Sequence, residues 1–318
     1  MPSSNRISPA GLGFAIAAYF LWGFLPVVFM LLAPSSAVEI VAWRVVLSLV
    51  FCVLLLTVTR GWTRFRAIMA DRSAVLTLTL AAVFILVNWS VFIYATLSEH
   101  IVEAALGYFT NPIVTVLLGV LILRETLRPA QWAAIGVSTI AVVVLAIGYG
   151  SFPWIALSLA FSFGLYGLVK KRVGGRVDSI GGLTMETAVL APVAVVALVI
   201  VGMTTGITLG TLGPLHTSIM LSVGVVTAVP LLLFAAAARR IPLVYLGLVQ
   251  FLAPIMQLIT GAVILREPMP PERWIGFGVV WFALAILMAD AIVHARRNRG
   301  EVAPDSENLP EDSLGNER

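Results

Sequence analysis

Ten apolar runs separated by short polar breaks dominate this chain, at residues 11–32, 38–58, 74–95, 101–123, 130–148, 152–169, 180–202, 218–238, 243–265 and 272–294. One membrane-spanning helix needs about 20 consecutive apolar residues, so each run is long enough, or nearly so, to cross a bilayer. None shows the period-2 alternation of a barrel strand. Only 11% of the 318 residues are charged, against about 25% in a soluble domain. The expected fold is therefore an all-α membrane protein with ten transmembrane helices, leaving no length for a separate soluble domain.

Charge placement sets the orientation. With a cytoplasmic N-terminus, 17 of the 20 Lys and Arg residues fall on one side of the membrane: Arg6, Arg60, Arg64, Arg66, Arg72, Arg124, Arg128, Lys170, Lys171, Arg172, Arg176, Arg239, Arg240, Arg296, Arg297, Arg299 and Arg318. Arg266 and Arg273 fall on the other side, and Arg44 lies within a helix. Short loops rich in Lys and Arg stay cytoplasmic, which puts both termini in the cytoplasm and requires an even helix count. The net charge of +4 is thus spent on topology, and nucleic acid is not an expected partner. Residues 296–318 are acidic and poor in apolar residues, the composition of a disordered cytoplasmic tail. The N-terminal apolar stretch is too long for a signal-peptide core and reads as a retained first helix.

The chain also repeats itself. Pro112 to Gly136 reads PIVTVLLGVLILRETLRPAQWAAIG and Pro254 to Gly278 reads PIMQLITGAVILREPMPPERWIGFG, which align without gaps at ten identities. Leu21-Trp22-Gly23 matches Leu165-Tyr166-Gly167 at a similar offset. The expected division is residues 1–148 and 149–295, five helices each. A five-helix unit crosses the membrane an odd number of times, so the second copy must run opposite to the first. Inverted repeats of this kind are a transporter architecture. The plainer alternative is a duplication that only built a stable bundle.

Asn88-Trp89, Tyr94-Ala95, Glu103-Ala104, Leu106-Gly107-Tyr108-Phe109 and Asn111-Pro112 resemble RarD-type members of the EamA, or drug/metabolite transporter, superfamily. The same holds for Val226-Thr227-Ala228, the stretch from Pro230 to Arg240, and Gln250. Thr96 to His100 depart from that pattern. The resemblance implies ten helices in an inverted five-plus-five repeat, in the cytoplasmic membrane.

Ionisable groups within spanning segments are costly and usually face the bundle interior. Arg44 lies about six residues inside the outer end of helix 2, and Glu186 about six residues inside the inner end of helix 7. At about 1.5 Å per residue, they sit roughly 9 Å from opposite faces of a core about 30 Å thick, too far apart to pair. Each either lines an access path or serves structure: Arg44 by snorkelling outward, Glu186 by bonding a neighbouring helix. Glu103, early in helix 4, either meets substrate or complements the helix dipole. Asn88, Tyr94, Asn111, Gln250 and Gln257 are candidate substrate contacts or interhelical bonds. Trp22, Trp89 and Tyr108 are candidates for an aromatic wall, whereas Trp132 and Trp274 read as interfacial anchors. Arg124-Glu125 and Arg266-Glu267 read as helix caps. Gly119 and Gly261 allow close helix contact within or between subunits.

Other chemistries lack their residues. The lone Cys52 sits in an apolar run as a small hydrophobe, and His100, His216 and His294 are dispersed. No GxxxxGK[ST] loop occurs, and the helices carry no Asp pair, Ser–His set or HExxH. The expectation is a non-enzyme without cofactor or metal: a secondary transporter, and an exporter, of a small amphiphilic metabolite or drug. The proton is the coupling ion that its intramembrane carboxylates point to. A membrane scaffold or receptor and a passive channel are the alternatives.

Overall fold

A computed structural model describes residues 8–123, 152–173, 175–238, 240–241 and 249–269, with scattered positions in 129–140 and 271–286. Most of the fifth and tenth apolar runs, the Arg124-Glu125 pair and the segment 296–318 lie outside these residues. All regular structure among the described residues is helical: α1 (Pro9–Gly23), α2 (Leu25–Met30), α3 (Ala37–Val58), α4 (Trp62–Ala70), α5 (Arg72–Leu97) and α6 (Ile101–Leu123), then α7 (Trp154–Val173), α8 (Ser179–Thr204), α9 (Pro214–Ala238) and α10 (Leu252–Ile259). A π-helical turn, Thr260–Ile264, extends α10. Five described segments are long and apolar enough to cross a membrane: Pro9–Met30, α3, α5, α8 and residues 214–237 of α9. Trp154–Lys170 and Leu252–Ile264 are shorter apolar helices. The chain is an all-α, multi-pass membrane protein.

The helix starts follow local chemistry. A helix leaves its first N–H groups without intrahelical acceptors, and short polar side chains supply them. Ser8 accepts from Gly11 N, Ser36 from Glu39 N, Asp71 from Ser73 N and Ala74 N, and Asp178 from Gly181 N. The apolar runs then continue on all faces, because lipid covers the outer side and other helices cover the inner one. Val58, Leu76 and Met203 are largely exposed on the flanks of the bundle, which is what a lipid-facing surface requires. The short α4 differs: Phe65 and Ile68 are buried while Arg64 and Arg66 are exposed. That is the pattern of a helix lying along an interface.

Pairing between the described helices before residue 124 and those after residue 152 is reciprocal. α6 packs on α7 as α10 packs on α1; α5 packs on α7 as α9 packs on α1; α9 packs on α3 as α5 packs on α8; and α3 and α8 pack on each other. Two backbone approaches depend on glycine. A Cβ on Gly224 would lie 2.4 Å from the Leu47 carbonyl carbon, and one on Gly107 would lie 2.8 Å from the Ala156 carbonyl oxygen. Small residues at such crossings let helices close without a hydrophobic drive between them.

One end of the bundle is fastened by buried polar groups. Glu39 Oε1 accepts from Thr208 N (2.8 Å), Thr208 Oγ1 (3.0 Å) and, more weakly, Leu209 N (3.4 Å). Glu267 accepts from Ile101 N (2.8 Å) and Val102 N (2.9 Å), the first turn of α6. Glu103 accepts from Ile155 N at the start of α7 (3.3 Å). Ser35 Oγ lies 2.6 Å from Thr208 Oγ1 and 2.9 Å from His216 Nε2. Carboxylates at helix N-termini meet both orphan donors and a favourable dipole. Glu103 and Glu267 therefore cap a helix other than their own, which neither the dipole nor the capping reading of the sequence contained. At the opposite end, Glu186 receives Lys170 Nζ at 2.6 Å and the Tyr166 hydroxyl at 3.2 Å.

Candidate functional site

Between the two sets of helices lies a cleft of about 530 Å³. α1, α2, α3, α5, α6, α7, α9 and α10 all contribute to its wall. The site thus exists only when the N-terminal and C-terminal helices meet.

Much of the wall is aromatic. Edge-to-face contacts link Tyr19 to Trp22 (5.2 Å between centroids), Trp22 to Phe163 (6.1 Å), Phe163 to Tyr108 (6.2 Å) and Tyr108 to Phe92 (5.6 Å). This is an unbroken chain through four helices. Each edge-to-face pair sets a positive ring edge on a negative face, so the rings hold one another's orientation. Trp89 completes the wall beside Arg44.

Polar groups divide into fixed and open ones. Asn88 is saturated: its Nδ2 donates to Leu159 O and Ser162 Oγ (both 3.2 Å), and its Oδ1 accepts from the Tyr108 hydroxyl (3.0 Å). It ties α5 to α6 and α7 and sets the Tyr108 ring against the cleft. Arg44 is the opposite case. It is 2% exposed, and its guanidinium lies over the Trp89 ring at 4.4 Å and 5.3 Å from the Phe29 centroid. Its Nε and Nη1 have no hydrogen-bond partner among the described residues, and neither do the Tyr19 hydroxyl and Gln257 Oε1. All three residues line the cleft.

Of the residues singled out from sequence, the cleft gathers Arg44, Asn88, Trp89, Tyr108, Gln250 and Gln257, together with Trp22. The other four are elsewhere. Tyr94 is about half exposed and packs on Trp154 with ring centroids 5.6 Å apart. Glu103 and Glu186 fasten opposite ends of the bundle, and Asn111 is buried in α6 away from the cleft lining. Tyr19, Phe92 and Phe163 line the cleft without having stood out in the sequence, since an aromatic residue in an all-apolar helix carries no mark of which way it faces. The repeat register was the available signal, because Phe163 lies three residues before Tyr166 as Tyr19 lies three before Trp22, the residue that Tyr166 matches. No group of three metal-ligating side chains occurs among the described residues. Cys52 is free and buried.

A multi-pass helical bundle enclosing a central aromatic cleft between its two sets of helices is the build of a membrane transporter. Comparison with known proteins specifies which kind. The model of the EamA-like transporter family matches twice, at residues 9–147 and 152–289. The Protein RarD of Streptomyces exfoliatus is 46% identical over 292 residues, covering 92% of each chain. The Protein RarD of Escherichia coli K12 is 38% identical over 288 residues, covering 90% of this chain and 96% of that one. An uncharacterized transporter of Bacillus subtilis, YojE, is 36% identical over 91% of this chain and 97% of that one. A solved crystal structure matches with a TM-score of 0.61 at 16% identity, over 91% of this chain and 98% of that one, a likeness of fold. The chain belongs to the EamA-like transporter family, as a RarD-type member.

Proposed function

We propose that this protein is a secondary active transporter that exports a small organic molecule across the cytoplasmic membrane by alternating access. The observation that carries the reading is the cleft itself, whose wall is built jointly by both sets of helices. A channel needs a continuous wet path, whereas a carrier needs a site whose walls move. The reciprocal helix pairing supports ten spans in two inverted five-helix copies, 1–148 and 149–295, because exchanging the copies maps the main contacts of the long helices onto one another. The double match of the family model supports the same division.

The arginine-rich loops place the end fastened by Glu39, Glu103 and Glu267 outside, with both termini cytoplasmic. In this arrangement the outer gate is held shut. Proton coupling then has one carboxylate at each end. Protonating Glu103 weakens its hold on the first turn of α7, and protonating Glu186 releases Lys170. Each proton so bound loosens the gate at its own end.

The test is flux in proteoliposomes with and without a pH gradient, over a panel of amphiphilic solutes. Saturable, gradient-dependent flux is expected for one class. Folded protein that moves none of them refutes the transporter reading. Flux with an unaltered pH dependence in both Glu103→Gln and Glu186→Gln refutes the coupling.

A further inference from the structure

Arg44 is costly where it stands. A guanidinium is always charged and carries five donors in a rigid fork. Burying it at 2% exposure without a carboxylate partner forgoes hydration with nothing to replace it. Two geometric facts say what the arrangement is for. First, the Trp89 ring sits under the guanidinium face at 4.4 Å, which satisfies the π-face of the cation but none of its in-plane N–H groups. Nε and Nη1 are buried donors without a partner among the described residues, on a side chain that lines the cleft. Second, the described wall contains no Asp or Glu, so Arg44 is its one charged residue. A ligand with a single negative charge completes this site. A zwitterion brings an ammonium that no wall carboxylate receives.

Resting on the transporter reading of the same cleft, we infer that the substrate class is an apolar, aromatic-bearing organic monoanion, with its carboxylate on Arg44 and its ring against the aromatic wall. The planar carboxylate matches the guanidinium fork. Trp22, Tyr108 and Phe163 take the apolar body of the ligand. Asn88 acts as a positioning residue, because its Oδ1 holds the Tyr108 hydroxyl while its Nδ2 is taken by Leu159 O and Ser162 Oγ.

The experiment is ligand-induced thermal stabilisation of the purified full chain in detergent, read with a charge series on one framework. Phenylacetate, phenylacetamide, phenethylamine and phenylalanine present an anion, a neutral amide, a cation and a zwitterion, with indole-3-acetate as a larger anion. Phenylacetate or indole-3-acetate is expected to bind saturably, and the neutral and cationic members about ten-fold or more weaker, the worth of one charge-assisted bond in a buried site. Arg44→Met is expected to abolish anion binding while raising the ligand-free Tm, since it removes an unpaired charge. A purely structural Arg44 would instead lower the Tm on substitution. Phenylacetamide or phenylalanine binding as tightly as the anions, anion binding that survives in Arg44→Met, or no response to either anion at millimolar concentration overturns the inference. The wild-type charge series stands even if the variant fails to fold. Liposome flux separates the two readings: anion binding without flux removes the transporter and keeps the anion site, and flux of a neutral solute unaffected at Arg44 does the reverse.

Discussion

Glu39 offers the sharpest test of how its end of the bundle is held. It is 1% exposed, and one carboxylate oxygen takes the Thr208 amide at 2.8 Å, the Thr208 hydroxyl at 3.0 Å and the Leu209 amide at 3.4 Å. In Glu39→Ala the hydroxyl keeps Ser35 Oγ, 2.6 Å away, so the cost falls on the two amides. A buried donor left without an acceptor costs about 1–3 kcal/mol. Thr208 and Leu209 are only half-buried, and the Leu209 bond is long, so water recovers part of the loss. The sum is about 1–3 kcal/mol, which raises the opening equilibrium about 5- to 150-fold. Hydrogen exchange by mass spectrometry reads this directly in the segment 205–213. Faster exchange is expected there in Glu39→Ala, with a smaller effect in Glu39→Gln, which keeps a neutral acceptor. Exchange in the middle of α5 should not change, because the perturbation is a local opening. Exchange in 205–213 at the wild-type rate in Glu39→Ala would show that the carboxylate does not hold this gate.

Three further outcomes follow from the same geometry. Gly224→Ala forces its Cβ to 2.4 Å from the Leu47 backbone, so α3 and α9 must separate; a loss of about 1–3 kcal/mol is expected as a lowered Tm, and an unchanged Tm would refute the close approach. Lys170→Met leaves Glu186, 1% exposed, without its cation, at about 3–5 kcal/mol; adding Glu186→Gln should recover most of the lost Tm, and purely additive losses would contradict the pairing. Tyr108→Phe strands Asn88 Oδ1, so a Tm decrease equivalent to about 1–3 kcal/mol is expected, and a stability equal to wild type would mean the bond is not made.

Features set by local composition were readable from the chain alone. Apolar runs gave the helical membrane fold, and the starts at Ser36, Asp71 and Asp178 carry their own capping residues. What escaped was partnership across the chain. Glu39 sits three residues after Ser36, where an acidic residue reads as a first-turn complement to the helix dipole, yet its acceptor oxygen serves an amide 169 residues away. Glu267 reads as the end of its own helix and caps α6 instead. Tyr94 and Tyr108 are alike as residues in apolar helices, but one faces outward beside Trp154 and the other faces the cleft. Each of these depends on which helix lies opposite, and that is decided by the pairing of the two sets of helices rather than by any local window.

That pairing also explains why the cleft is charged on one side only. Arg44 and Glu186 occupy the same position in matching helices, each eight residues after its N-cap, Ser36 and Asp178. α3 and α8 pack on each other, and they carry opposite charges at this shared position. At Glu186 the neighbouring helix supplies Lys170 at 2.6 Å and Tyr166, and the charge is closed off by protein. At Arg44 the neighbours are the rings of Phe29 and Trp89, which shape the space around a cation and leave its Nε and Nη1 without a partner among the described residues. A buried pair becomes destabilising when one member is lost, so folding alone gives a reason to keep Glu186 with Lys170. Folding gives a weaker reason to keep Arg44, which has the rings of Trp89 and Phe29 but no carboxylate partner among the described residues. The proposed anion in the cleft supplies that missing partner.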